Sequence, residues 1–305
     1  MKFAPQIRRA FDKGHWRITS ALLLLLAATW MPDVNLPRNT YNYMVTFDIT
    51  QSMNVDDVML DGAPVSRLAL ARAATREALR QLPCGSKVGW SIFADYRSFA
   101  LLLPIEVCSN YDVLLSTLDK IDGRMRWANA SNIGKGIYWS LRNAHAIPAT
   151  DIIFFTDGQE APPLRPGQQS IPIKSGEVGE VGGWLIGVGG DLPSRIPRTN
   201  TEGVVTGYWA ADEVVQVAGL PPGQSHEHLS ELREKYLASL ATQTGLGYSR
   251  LETPASLTRA MLDTTRAHRA PAPTNLRWIP ALLAMVLLTW NYLPEGRVVR
   301  RLVAE

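Results

Sequence analysis

A short apolar strand that ends abruptly on an acid is the feature that most constrains this chain. The residues from Met44 read MVTFDITQSM, so the β-forming Val45 and Phe47 lead directly into Asp48. A continuous apolar run bounded by turn residues is typical of a buried parallel strand, which places Asp48 at its carboxyl end. Because open α/β sheets bind ligands outside those ends, the sequence predicts an α/β fold with a ligand site after this strand.

The loop after this strand offers oxygen side chains to a cation. Asp48, Thr50 and Ser52 occupy alternate positions, so their side chains point the same way. One carboxylate with two neutral hydroxyls makes a poor nucleophile but suits a hard cation such as Mg²⁺, which takes oxygen ligands at about 2.0–2.1 Å. Since Asp, Ser and Thr are also common in turns and helix caps, this pattern alone leaves a purely structural loop open.

A second buried strand also ends on an acid. Asp151–Thr156 reads DIIFFT and is followed directly by Asp157. Two strands that end on acids point at one crevice, so we expect Asp48 and Asp157 to face the same site.

Strand and helix patterns alternate over residues 41–265. Strands are expected at 41–47, 87–94, 99–107, 151–156, 181–189 and 248–251, and helices at 66–82, 111–121, 133–146, 229–242 and 256–265. Ser66 is a good N-cap for the first helix, whose apolar residues keep a three-or-four spacing. A Pro- and Gly-rich insert spans about 191–228 and contains a hairpin pattern at 203–217.

Two cysteines flank a predicted hairpin in this region. Its strands, 87–94 and 99–107, are joined by a turn centred on Tyr96. Partner numbers in an antiparallel pair sum to a constant, here about 192, which is also the sum for Cys84 and Cys108. The hairpin therefore places the two thiols opposite each other, where they can form a disulfide. A slip of one residue would instead leave two separate buried thiols.

Apolar runs near both ends of the chain predict attachment to a membrane. The first run is short, since about 14 helical residues rise roughly 21 Å against a hydrocarbon core of roughly 30 Å. No small-x-small cleavage site stands out, so an uncleaved signal anchor is favoured over a cleaved signal peptide. Basic residues beyond both runs place the termini in the cytoplasm and the middle of the chain outside, although three arginines before the second run weaken that orientation.

These patterns divide the chain into six parts with a short linker at 35–40. They are a basic cytoplasmic tail (1–17), a membrane or signal anchor (18–34), the central domain (41–265), a linker (266–277), a transmembrane helix (278–293) and a second basic cytoplasmic tail (294–305). With 46% hydrophobic residues, the chain can bury a sizeable core. Its net charge of +3 and scattered basic residues give no support for nucleic-acid binding.

Three motifs together resemble the von Willebrand factor type A domain with its metal-ion-dependent adhesion site. They are DITQS at 48–52, SNIGKGI at 131–137 and FFTDGQE at 154–160. The resemblance implies a doubly wound, mostly parallel α/β sheet with one antiparallel edge strand. It also implies that Thr50, Ser52 and Ser131 bind the metal directly, while Asp48 and Asp157 hold its waters or bind at one remove. Mg²⁺ is the expected ion, with Mn²⁺ or Ca²⁺ as alternatives.

The resemblance also implies a protein partner. In the family, an acidic side chain of a partner, Glu or Asp, takes the open position on the metal. The flanking apolar runs and the insert resemble bacterial inner-membrane members whose domain faces the periplasm. We expect a module for maturation of a periplasmic enzyme such as methanol dehydrogenase, including its calcium loading. The alternative is an aerotolerance-type membrane scaffold in an envelope complex.

Other readings of these residues are weaker. A haloacid-dehalogenase-like phosphatase needs a second acid where Thr50 stands, and no G-x-S-x-G elbow is present, so we expect neither catalysis nor a small-molecule substrate. His226 and His228 form an H-x-H pair that can bind a metal, but a solvated helix start is favoured. In a third interpretation, the metal has a purely structural role: it stabilises the loop and binds no partner.

Overall fold

The fold is built on a central sheet in the larger of two compact units. The computed structural model describes residues 15–168, 179–221 and 223–292. The larger unit is Pro37–Ala270, and the smaller one comprises the described residues up to Leu36 and from Pro271 onward.

The central sheet is mixed and mostly parallel. The described strands are β1 Val34–Thr40, β2 Asn42–Asp48, β3 Val58–Leu60, β4 Ala63–Val65, β5 Lys87–Ala94, β6 Arg97–Glu106, β7 Asp151–Thr156, β8 Gly183–Gly187, β9 Ser194–Arg195, β10 Pro197–Thr199, β11 Val205–Tyr208, β12 Leu229–Ser230, β13 Gly247–Arg250 and β14 His268–Thr274. Among them, six strands form the sheet in the order β13-β8-β7-β2-β5-β6. Neighbours are parallel except β5 and β6, which form an antiparallel edge. The predicted α/β fold with a mostly parallel sheet is confirmed and is consistent with a von Willebrand factor type A-like fold.

Helices cover both faces of the sheet. The described α-helices are α1 His15–Trp30, α2 Arg67–Gln81, α3 Tyr111–Leu118, α4 Ile133–His145, α5 Glu234–Thr244, α6 Pro254–Met261 and α7 Trp278–Tyr292. Because alternate residues of a strand face opposite sides, Val45 and Phe47 of β2 share a core with α2, α3 and α6, whereas Met44 shares another with α4 and α5. Phe47 pairs with Phe155 of β7, so the carboxyl ends of β2 and β7 lie side by side.

The observed bounds of helices and strands match the predicted ones where the sequence signal is local. β7 has its predicted bounds, and α2 begins after Ser66, whose Oγ accepts a hydrogen bond from Ala69 N at 3.2 Å. The start predicted for the helix at 229–242 is wrong, because β12 pairs with β9 where that helix was expected to begin. The hairpin predicted at 203–217 lies earlier in the chain, where β10 pairs with β11.

The predicted disulfide at the β5–β6 hairpin is confirmed. Lys87 pairs with Glu106 at the end far from the turn, and two register shifts separate this end from the turn. Cys84 and Cys108 lie just beyond it and are bonded, with their Cα atoms 5.3 Å apart. The prediction was right although the register is irregular, because the start of β5 and the end of β6 still lie opposite each other.

The segments predicted as linkers are partly β-structure. β1 covers the whole of the first predicted linker, and β14 lies entirely within the second. The two strands pair with each other. Thr40 Oγ1 donates a hydrogen bond to His268 O at 3.0 Å, across 228 positions of sequence. The boundaries between the two compact units fall within both predicted linkers. The β-pairing was not predicted, because no local pattern reports a pairing over such a distance.

The apolar runs near the chain ends form α1 and α7, with 16 and 15 residues. Both helices belong to the smaller unit, where they pack against each other. At 1.5 Å per residue, 16 residues rise about 24 Å, less than a hydrocarbon core of roughly 30 Å. Nowhere in the described ranges is there a helix both long and apolar enough to cross a bilayer. The predicted spans at 18–34 and 278–293 are therefore not supported.

The basic tails predicted at 1–17 and 294–305 lie outside the described residues, apart from residues 15–17. Within the smaller unit, the Arg17 guanidinium carbon lies 4.9 Å from the centre of the Trp290 ring.

Gly136 in α4 provides a test of the core packing. A Cβ added there would lie 2.4 Å from Cε2 of the buried Phe93 ring. Alanine in a helix interior normally stabilises by about 1 kcal/mol over glycine, but overpacking a core costs about 1–3 kcal/mol. We therefore expect Gly136→Ala to lower the urea midpoint of unfolding, with Lys135→Ala on the same helix as the control. A Gly136→Ala protein as stable as the wild type would contradict this packing.

Candidate metal centre

Three loops meet at the carboxyl ends of β2 and β7. The first follows Asp48, the second follows β7 and contains Asp157, and the third contains Ser131. Ser131 is held against the second loop by two backbone hydrogen bonds with Ala161, each 2.7 Å long. The fold thus brings the five residues predicted from the sequence to one end of the sheet.

Asp48 organises the first loop. Its Oδ1 accepts hydrogen bonds from Thr50 N at 2.9 Å and Thr50 Oγ1 at 2.6 Å, and its Oδ2 accepts one from Thr156 Oγ1 at 2.7 Å. Thr50 Oγ1 lies 3.3 Å from Ser52 Oγ. The alternation predicted from the sequence therefore places the carboxylate and both hydroxyls in one cluster.

Asp157 is held by a buried arginine that the sequence analysis missed. Its Oδ1 accepts from Gln159 N at 2.9 Å, and its Oδ2 accepts from Arg67 Nη1 at 2.6 Å and from Ser230 Oγ at 2.8 Å. Arg67 also donates from Nε and Nη2 to the two oxygens of Asp57, at 2.8 and 2.6 Å. The second acid of the site is thus fixed by a fully buried guanidinium.

One sequence signal could have identified Arg67. It is the first residue of α2, directly after the N-cap, where a positive charge opposes the helix dipole. A cation in that place needs acids close by, and the preceding loop supplies Asp57. The partner Asp157 lies 90 positions away and could not be found locally.

Gln51 joins the first loop to its surroundings. Its Nε2 donates to Asn129 Oδ1 at 2.9 Å, near Ser131 in the third loop. Its Oε1 accepts from Trp209 Nε1 at 2.9 Å, and Trp209 belongs to the insert. This buried glutamine, which lies between the predicted ligands Thr50 and Ser52, therefore connects the candidate site with the insert.

The two kinds of predicted ligand lie at different depths. Thr50, Ser52 and Ser131 line a cavity of about 390 Å³, whereas Asp48 and Asp157 have no exposed surface. Ser131 Oγ is buried and has no hydrogen-bond partner among the residues that the structure describes. Such a hydroxyl, on a residue that shares a cavity with two other hydroxyl residues, fits a hard cation as the missing partner, since such ions take neutral oxygen ligands. The roles of the five residues as ligands stay a prediction.

Burial makes the Asp48 carboxylate unusual. Removal from water raises the pKa of Asp48 to about 7, and the nearby charge of Asp157 acts in the same direction. Hydrogen bonds from Thr50 and Thr156 stabilise the carboxylate and oppose the rise. A positive charge placed at the hydroxyls would favour the ionised form, so the site is electrostatically suited to a cation.

The histidine pair lies elsewhere. The rings of His226 and His228 are 6.2 Å apart, and neither residue lines the cavity. Both precede β12, and α5 begins only at Glu234. The helix-start interpretation of His228 is therefore wrong, since the chain forms a short strand before the helix.

Sequence comparisons find mycobacterial proteins that are similar to this chain. No family model matches the sequence. The UPF0353 protein MLBr01808 of Mycobacterium leprae is 26% identical over 275 residues, covering 79% of this chain and 73% of that protein. A UPF0353 protein of Mycobacterium tuberculosis is 25% identical over 277 residues, covering 80% of this chain and 74% of that protein.

Structural comparisons relate the fold to two proteins from Bacteroides species. An aerotolerance-related membrane protein from Bacteroides fragilis has a TM-score of 0.53 and 20% identity, covering 72% of this chain and 96% of that one. The conserved hypothetical protein BatB from Bacteroides thetaiotaomicron has a TM-score of 0.53 and 19% identity, covering 74% and 99%. At these identities the likeness shows the shared fold.

The raised pKa of Asp48 predicts how the metal-free protein responds to pH. Below the unfolded-state pKa of about 4, Asp48 is protonated in both states and its contribution to stability is greatest. As pH rises toward 7, the unfolded chain releases the proton while the folded protein keeps it, so this contribution falls. We expect urea unfolding in EDTA to show that the stability of the wild type relative to Asp48→Asn falls between pH 4 and 7. The exposed Asp56→Asn is the control, and an Asp48→Asn protein with the wild-type slope would contradict the assignment.

Proposed function

We propose that this chain is a membrane-associated binding module that captures an acidic side chain of a partner protein through a divalent cation. The observation that carries the proposal is the buried Ser131 hydroxyl, which has no partner among the described residues and belongs to a residue that lines the same cavity as Thr50 and Ser52. These three residues would bind the cation directly. Asp48 and Asp157, which lie deeper, would hold its water ligands or act on it at one remove. Three neutral ligands leave the ion electrophilic, so it keeps affinity for a carboxylate from outside.

Mg²⁺ is the proposed ion, with Mn²⁺ and Ca²⁺ as the alternatives. It is a hard cation that accepts few protein ligands and keeps several waters, one of which a carboxylate can replace. Asp157 shares its charge with Arg67, which limits the negative charge that the protein itself presents to the ion. A phosphatase is disfavoured, because the Thr50 hydroxyl donates to Asp48 where that mechanism needs an acid.

The setting that we propose is an envelope complex. The Bacteroides fragilis neighbour is described as an aerotolerance-related membrane protein, which supports the aerotolerance-type scaffold better than methanol dehydrogenase maturation. The disulfide between Cys84 and Cys108 supports an oxidising compartment such as the periplasm for the larger unit.

Membrane association is supported by the surface of the smaller unit. Its two helices expose large apolar side chains, among them Leu22, Leu23, Leu26, Leu282, Met285 and Trp290. Soluble monomers rarely expose contiguous apolar patches beyond a few hundred Å², and larger ones mark membrane or protein contacts.

Metal binding should depend on the orphaned hydroxyl. Mg²⁺ that binds only the folded protein raises its stability, by about 2.7 kcal/mol at a hundredfold excess over Kd. We expect Mg²⁺ to raise the thermal unfolding temperature, and Ser131→Ala to weaken this response about tenfold in Mg²⁺ concentration, since one ligand is lost. The exposed Ser116→Ala is the matched control. A Ser131→Ala protein with the wild-type response would refute the proposed site.

Membrane association should depend on the exposed helix surface. Replacing Leu22 and Leu26, 57% and 54% exposed, by Glu places two charges on one helix face. We expect the full chain to float with phospholipid vesicles in a density gradient and the double variant to float much less, since apolar burial is lost. The control is Met59→Glu with Leu192→Glu, at positions 57% and 77% exposed in the larger unit. Equal flotation of both double variants would exclude the helices as the attachment surface.

A further inference from the structure

The cavity beside the three hydroxyls has a second wall that the proposed metal site does not use. The insert supplies Ile196, Trp209, Val214 and Val215 to this wall, which makes it largely apolar. The loop after β7 adds Gln159 and Glu160 next to them. A group that enters the cavity from the metal side therefore meets an apolar surface with two polar side chains.

Gln159 presents an acceptor that lacks a donor. Its Nε2 donates to Glu227 O at 3.0 Å and to Leu229 O at 3.2 Å, which fixes the orientation of the amide. Its Oε1 is buried and has no hydrogen-bond partner within the described part of the chain. The amide cannot turn to satisfy this oxygen without losing both bonds.

Glu160 is fixed in the same way. Its Oε1 accepts from Ile133 N at 3.1 Å and from Tyr236 Oη at 2.6 Å. Its Oε2 is buried and has no hydrogen-bond partner among the described residues. The whole residue is only 4% exposed, so bulk water does not replace that partner. A buried acceptor without a donor is costly, at about 1–3 kcal/mol and more for a charged group, so a donor from outside has much to gain here.

The charges around the cavity favour a cation as that donor. Its lining contains three glutamates and, among the described residues, no lysine, arginine or histidine. Glu213 and Glu227 already pair with Arg198 and Arg233, each at 2.7 Å. Glu160 has no such ion pair among the described residues, so its charge is the one left to attract a cationic group.

We infer that this cavity binds the lysine or arginine side chain of a partner segment whose neighbouring acid binds the metal. The apolar stem of such a side chain packs against Val214 and Val215, and its charged end donates to Gln159 and Glu160. The acidic half of this recognition rests on the proposed function, whereas the cation pocket stands on its own contacts. The partner's recognition sequence would thus carry one acid and one base close together.

The pocket can be tested without metal by using n-butylammonium, which reproduces the lysine side chain. We expect the full chain in EDTA to bind this probe in ligand-observed NMR, and to bind the neutral 1-pentanol less. Glu160→Gln should weaken binding about fivefold, the upper end of what one exposed ion pair contributes. The exposed Glu202→Gln is the matched control. Equal binding of the alcohol, or no effect of Glu160→Gln, would overturn the proposal.

A second pair of variants keeps the test independent of the buried glutamate. Val215 lines the cavity but is 66% exposed, so charged substitutions there leave the core intact. Val215→Lys should weaken n-butylammonium binding, and Val215→Glu should strengthen it. The same affinity in both variants would place the probe outside this cavity.

Peptide binding can distinguish the contribution of the cation pocket from that of the metal. We would use acetylated, amidated peptides in which one Asp is separated from one Lys by zero, one or two glycines, with Mg²⁺ present. At one spacing at least, Lys should bind about tenfold more tightly than norleucine, which keeps the stem but lacks the charge. Norleucine peptides that bind equally at every spacing would overturn the inference. If n-butylammonium binds in EDTA but no Asp peptide binds with Mg²⁺, the capture function fails and the cation pocket remains.

Discussion

The buried guanidinium of Arg67 is the interaction on which the candidate site depends. It donates to Asp57, Asp157 and Ser230, and its Nη1 also lies 3.3 Å from Ser52 O. A charge without exposed surface must be paired, and removing one partner of such a pair typically costs about 3–5 kcal/mol. One side chain at the start of α2 therefore holds the first loop, the loop after β7 and β12 in a single arrangement.

This arrangement also explains why the acids lie behind the hydroxyls. Asp157 is committed to Arg67 and Ser230, and Asp48 is committed to Thr50 and Thr156, so neither carboxylate needs a cation to satisfy its oxygens. Among the five predicted ligands, Ser131 is the one whose side-chain oxygen has no described hydrogen-bond partner. A cation would thus complete a site that the protein has already assembled.

Local patterns predicted the elements that local interactions determine. The bounds of β7 follow from an apolar run, and the start of α2 follows from its N-cap, Ser66. The motifs correctly predicted that the three loops meet at one end of the sheet, because a parallel sheet aligns the carboxyl ends of its strands. The β1–β14 pairing, the start of α5 and the role of Arg67 were missed, since each depends on residues far apart in the sequence. Gln51 was missed for another reason: nothing in its own sequence context distinguishes it from a loop glutamine.

The insert and the residues just after it are connected to the candidate site, and this connection has a thermodynamic consequence. Trp209 of the insert binds Gln51 of the first loop, and Ser230, just after the insert, binds both Arg67 and Asp157. An occupant of the cavity that shifts the insert therefore acts on the loops that would hold the cation. Because coupling between two binding sites is reciprocal, the cation would alter the affinity for the occupant by the same factor. The two halves of the proposed recognition site would then bind a partner cooperatively rather than as independent contacts.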